Sequence, residues 1–229
     1  MYRTYQSDYP NQVHQLLVTV SKHFQLGAKD QLKHQKKSLD ISLKNLERST
    51  KHHVIHYFLR DHFTGAYHAE MCSSNNLIPV KDFLLRSWLP KVTSPFRGIP
   101  EYLMVPKTVE SYFPQLVEFL SELGIEKIYP PSGFASGPVR DVPVWEEHIR
   151  AIVVIKATYD DMLFPIQNWN PRVTDRIAAY LCEEKLNIWQ HSIPEVLILK
   201  DDYVRRTASN DFKSVTEFPD IKSIGFGAE

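Results

Sequence analysis

Four carboxylates and one run of basic residues are the side chains whose placement could support chemistry. Asp40 stands alone in residues 37–44 (KSLDISLK). There Leu39, Ile41 and Leu43 point one way, and Ser38, Asp40, Ser42 and Lys44 the other, an alternation that predicts a strand. Asp61 precedes a tight turn at Phe63-Thr64-Gly65 and reads first as a turn residue, second as a catalytic candidate. Glu146 and Glu147 follow Pro143, where acids also complement the dipole of a helix's first turn. Between Lys29 and Arg60, basic residues including Lys36, Lys37, Lys44, Arg48 and Lys51 face only Asp30, Asp40 and Glu47 as acids. Such a stretch can track phosphates, or it can be an ordinary solvated surface.

Five histidines (His52, His53, His56, His62 and His68) invite a metal reading. On a strand, His53 and His56 face opposite sides, and no i,i+4 His pair with a helper Glu appears, so zinc is not expected. The chain has no GxxxxGK loop and no GxSxG elbow.

The elements that would position these groups follow from periodicity. Val13, Leu16, Leu17, Val20 and Phe24 have helical spacing, which predicts a helix over residues 11–26 ended by Gly27. Two long strands are then expected, one around Asp40 and one over residues 54–61, with a return strand at 66–70. A helix over 76–89, a short strand at 101–105, a helix over 109–123 and a strand at 125–129 follow. A Pro/Gly/Ser-rich loop at 130–143 leads to a helix from Val144 to about Leu163, and helical pieces over 174–186 precede a polar tail.

The order of these pieces resembles the catalytic core of the DDE transposases and retroviral-type integrases. The resemblance is carried by an acid in a first strand and a hairpin closed on Thr64-Gly65. Gly98-Ile99-Pro100 before a short strand, Leu123-Gly124-Ile125 after a helix, and a Pro-rich loop before Trp145-Glu146-Glu147-His148 complete it. It covers residues 37–150, about half the chain. It implies an α/β, ribonuclease-H-like mixed sheet of about five strands, the first three antiparallel, flanked by helices. It also divides the chain into an N-terminal helical extension (1–36), an integrase-like core (37–165) and a C-terminal helical and polar extension (166–229).

In such enzymes two Mg²⁺ ions, held by carboxylates, activate the attacking oxygen and stabilise the leaving one. The resemblance puts Asp40 in the role of the first acid and Glu146 or Glu147 in that of the third, with Asp40 and Glu146 as the metal ligands if any metal binds. The middle acid is replaced by Pro106-Lys107: proline offers no acid and no N–H, and an ammonium repels a cation. Lys107 is expected to stand in for the missing cation beside Asp40 or Glu146. Mg²⁺ is therefore implied by the family yet expected to be absent.

Composition bounds the choice. At 229 residues, 43% hydrophobic and 24% charged, the chain suits a folded protein with a substantial core. No apolar run approaches the roughly 20 residues of a membrane span. The start MYRTYQSDYPNQ does not read as a signal peptide, and Cys72 and Cys182 read as free thiols, so a cytoplasmic location is expected. Three functions remain. The first is a transposase- or integrase-like domain that binds DNA and is catalytically impaired. The second is an active Mg-dependent strand transferase or nuclease using Glu101, Glu110 or Asp141 as second carboxylate. The third is a non-catalytic accessory subunit that binds another transposition protein or itself; the formal net charge of zero favours it over a DNA-coating protein.

Overall fold

Val13, Val18, Thr19 and Val20 are branched at Cβ, and their stiffness favours extended backbone over helix. In the computed structural model, which describes residues 7–131, 137–159 and 165–192, Val13–Leu26 is accordingly a 14-residue strand, β1, and not a helix. It is the centre of the sheet, so the described part of the expected N-terminal helical extension (1–36) holds a central strand and no α-helix. The helical spacing arose because β1 is covered on both faces, which removes the apolar–polar alternation of a half-buried strand.

The strand expected around Asp40 is also corrected. Residues 35–42 run beside β1 on single bonds, Gln35 N to His23 O (2.8 Å) and Leu39 N to Lys22 O (2.8 Å), and Leu43–Arg48 forms a 3-10 turn. The alternating apolar residues there are anchors: Leu43 and Leu46 are buried and Ile41 packs on the core.

A strand the periodicity did not predict, Leu32–His34, follows β1; the remaining elements come in the expected order, the long helix beginning at Gly137 inside the stretch expected as a loop. The elements after β1 are β2 (Leu32–His34), β3 (His53–Asp61), β4 (Tyr67–Ser73), α1 (Val80–Trp88), β5 (Tyr102–Met104), α2 (Lys107–Tyr112), α3 (Leu116–Glu122), β6 (Glu126–Ile128), α4 (Gly137–Tyr159), α5 (Pro171–Leu181) and α6 (Glu183–Ser192). The helix expected over 109–123 is two, broken where Pro114 cannot continue α2.

The sheet runs β4-β3-β1-β5-β6, with β2 pairing the far end of β1. β1, β3 and β4 are antiparallel neighbours, while β5 joins β1 in parallel and β6 joins β5 in parallel. This is an α/β fold with a ribonuclease-H-like mixed sheet flanked by helices.

Cross-strand register sorts the side chains into two faces. Gln15, Leu17 and Thr19 pair with Arg60, Phe58 and His56, and this set faces α4, where Phe58 meets Trp145 edge-on at 5.7 Å. The opposite set faces α1. Tyr57 packs on Phe83 at 5.3 Å, and Trp88 donates to His14 Nδ1 at 3.1 Å and stacks on Phe119. Both layers contribute to one continuous buried core. Among the described residues no helix is long and apolar enough to cross a membrane.

Candidate functional site

A cleft of about 330 Å³ opens on the α4 face of the sheet. Its apolar lining is Leu17, Val20, Val139, Val142 and Pro143, and Thr19, Lys22, His23, His34, Glu146 and Glu147 supply its polar groups. The local backbone explains the opening. After Val20↔Ile55 the next β1–β3 pair is Gln25↔His53, so β1 carries three more residues than its partner between these pairs. This irregularity swings Ser21 and Lys22 away from β3 and toward α4.

Glu146 closes the inner end of the cleft. Its Oε1 accepts from the Ser21 hydroxyl, from Lys22 N at 3.1 Å and from His56 Nε2 at 3.1 Å. Trp145 Nε1 donates to His56 Nδ1 at 3.3 Å, so the ring proton of a neutral His56 sits on Nε2, aimed at the carboxylate. Burial would raise the Glu146 pKa, but His56, Ser21 and the Lys22 amide outweigh it and hold it at about 2. Glu146 is thus a permanent anion in the helix–sheet contact. Glu147, one residue on, is exposed and pairs with Arg150.

At the rim, the His23 and His34 rings stack at 6.2 Å with 27° between planes. His34 is pushed below its ordinary pKa, first by desolvation and then by the nearby positive charge of Arg150.

The other expected site residues do not converge here. Asp40 is exposed and lies off the sheet. Asp61 ends β3, is buried, and accepts from Asn11 N (2.8 Å), Thr64 N (2.7 Å) and Thr64 Oγ1 (2.7 Å), the turn role expected of it. Pro106 caps α2, and Lys107, the first residue of that helix, is exposed with its ammonium 5.3 Å from the Tyr129 ring. Lys107 therefore does not stand in for a cation beside Glu146, whose partners are His56, Ser21 and Lys22. Lys36, Lys37, Lys44, Arg48 and Lys51 are all exposed on the connection between β2 and β3.

The three alternative second carboxylates are all engaged. Glu101 accepts from Tyr9 Oη at 2.5 Å, and Glu110 pairs with Lys127 at 2.5 Å. Asp141 lies 3.0 Å from Arg60 Nε and 3.8 Å from Lys185 Nζ.

The residues present do not fit a two-Mg²⁺ centre. β1, the strand that faces α4 and neighbours β5, contains no Asp or Glu in Val13–Leu26, and its α4-facing positions are Gln15, Leu17 and Thr19. β5 runs out into Val105 and Pro106, and Glu146 already has three donors on Oε1. Among the described residues no group of three His, Cys, Asp or Glu side chains could hold a metal ion. The cleft residues Leu17, Thr19, Lys22 and His23 were missed by sequence reasoning because β1 was read as a helix, its β-branched content being the available signal; His34 lies on β2, whose three residues are too few to show a period. The chain matches no protein-family model and no curated protein.

Proposed function

We propose that this chain is a domain of the DDE transposase and integrase type that binds DNA in the cytoplasm, takes part in DNA integration or transposition, and performs no strand transfer of its own. One observation carries the reading: the sheet order β4-β3-β1-β5-β6 surrounds a central strand with no carboxylate. An architecture that suits metal-dependent phosphoryl chemistry is thereby joined to a strand that cannot hold the metal. The five exposed cations of residues 36–51 supply the DNA-facing charge.

Fluorescence anisotropy with a labelled duplex at several salt concentrations tests the binding. Five phosphate contacts give a slope of log K against log salt of about −4.5, at roughly −0.9 per contact. Replacing Lys36, Lys37 and Lys44 by Ala should flatten it by about 3. A flat profile, or no binding at low salt, refutes the reading. Duplex nicking in Mg²⁺ or Mn²⁺ that Asp141→Asn abolishes would restore the active-enzyme alternative.

A second reading, an accessory subunit that binds another protein, is favoured by one feature. Tyr180 of α5 is 70% exposed and packs on His148 of α4 beside Val144, 55% exposed. Mixing with candidate transposition proteins in analytical ultracentrifugation tests it; a monomer in every mixture refutes it.

A further inference from the structure

The cleft between β1, β2 and α4 has the makings of a ligand site, and its chemistry narrows the ligand. Its volume of about 330 Å³ lies at the lower end of the roughly 300–1,000 Å³ of small-molecule sites. Leu17, Val20 and Val142 offer an apolar bed for a flat ring, with the exposed Val139 at its open edge. The stacked His23 and His34 rings add π surface at the rim, and the exposed Lys22 stands beside them to meet an anion.

The polar end is the selective part. All three donors to Glu146 converge on Oε1, and no described residue donates to Oε2. Oε2 is nevertheless not among the buried polar atoms left without a partner. The 6% of the side chain that stays open is therefore where the cleft meets the carboxylate. A carboxylate only accepts, so this end of the cleft selects an N–H donor. Glu147, the cleft's second carboxylate, is paired with Arg150; apolar bed, π rim, Lys22 at the mouth and acceptor at the back together describe an aromatic amine attached to a phosphate.

We propose that the cleft receives one unpaired nucleobase carrying an exocyclic amine (adenine, cytosine or guanine), with its phosphate at Lys22; the proposal rests on the nucleic-acid reading above and names the feature of the nucleic acid this face recognises. Thymine and uracil are disfavoured, because their one ring N–H lies between two carbonyl oxygens that would face the Glu146 anion. Losing one charge-assisted hydrogen bond corresponds to about tenfold in affinity.

The test titrates the full chain with AMP, CMP, GMP and UMP, following the His23 and His34 imidazole resonances by NMR. The expected result is that the first three shift both histidines at millimolar concentration while UMP binds about tenfold more weakly. Val139→Trp, a substitution at a position 44% exposed, should fill the cleft from its open side and abolish the shifts without lowering the melting temperature. Glu146→Gln should erase the preference over UMP, provided its melting curve shows a folded protein.

Three outcomes overturn the proposal: no shift with any nucleotide, equal binding of all four, or binding unaffected by Val139→Trp. Duplex binding, measured in parallel on the wild type and on Val139→Trp, reports separately on the earlier reading. Salt-dependent duplex binding with silent histidines refutes the base pocket alone. Absence of duplex binding refutes the DNA reading, and with it the identification of the bound ring as a base within nucleic acid.

Discussion

Asp175→Asn should detach α5 from the sheet, and the reason lies in one histidine. His68 on β4 lies 2.8 Å from Asp175 through Nδ1 and 3.0 Å from Glu70 through Nε2. Two carboxylates on the two ring nitrogens require both to carry protons, so His68 is an imidazolium. Arg86 from α1 grips Glu70 with two bonds, 2.9 and 2.7 Å, and Thr93 donates to Asp175. The two cations and two anions cancel. The side chains of His68, Glu70 and Asp175 are 1%, 2% and 3% exposed, so the cancellation takes place away from water. Removing one anion leaves an unbalanced buried charge, a loss of about 3–5 kcal/mol.

The pH dependence carries the same signature. Burial pushes His68 down, but Asp175 and Glu70 overcome it and raise its pKa above the ordinary 6.5. Lys91, facing the same cluster, works against them. A raised histidine contributes stability that is fully present below pH 6.5 and is lost as pH rises through its folded value. For Asp175, burial is the largest influence and raises the pKa, yet His68, Lys91 and Thr93 bring it down to about 2. Glu70 is likewise held below its ordinary 4.5 against desolvation, by His68 and Arg86. Their contributions fade as pH falls below 4.5. The cluster is thus most stabilising between about pH 4.5 and 6.5.

Urea unfolding across pH 4–9 measures this directly. The wild type should lose stability above pH 6.5, and Asp175→Asn should lose much of that slope together with 3–5 kcal/mol at pH 6. Amide exchange in α5 then distinguishes local release from global unfolding. A loss below about 1 kcal/mol with an unchanged alkaline slope would refute the imidazolium assignment, as would ¹⁵N shifts showing a neutral His68 ring at pH 6.

Other substitutions separate structural from functional roles. Glu146→Ala should remove the acceptor shared by Ser21, Lys22 and His56. Because the Glu146 pKa is about 2 against an ordinary 4.5, it should also remove about 3 kcal/mol of stability that the wild type loses between pH 4.5 and 2, read from acid unfolding. Gly65 has φ +78°, and an added Cβ would lie 2.7 Å from the Arg60 guanidinium, so Gly65→Ala should cost about 1–2 kcal/mol in thermal unfolding. Lys107→Ala should change stability by no more than about 0.5 kcal/mol, because the exposed ammonium loses its place over Tyr129 and a solvent-screened attraction to Glu110. A large effect there would mean that Lys107 has a partner at the end of β5 after all.

What sequence reveals and hides in this fold follows from burial. The β3–β4 hairpin was legible because Thr64-Gly65 is a local device: Asp61 holds it from within the turn, and Gly65 takes the left-handed backbone that other residues resist. β5, β6 and α1 were legible for similar reasons, bounded by proline and glycine punctuation. β1 was not. A strand sealed by α1 on one face and α4 on the other shows no alternation, and Val13, Leu16, Leu17, Val20 and Phe24 fell by coincidence at helical spacing. Reading β1 as a helix moved the expected first acid 23 positions along the chain, from Leu17 to Asp40, where the apolar anchors of a wandering connection imitate a strand. Correcting it changes the chemistry. With β1 at the centre, the position that faces α4 across the cleft is Leu17, and the one acid that does arrive, Glu146, is taken up by His56 and the irregular backbone at Ser21 and Lys22. A carboxylate that bonds the sheet this tightly holds α4 in place through Oε1, so any ligand of this cleft has to be read by Oε2 and by the apolar lining.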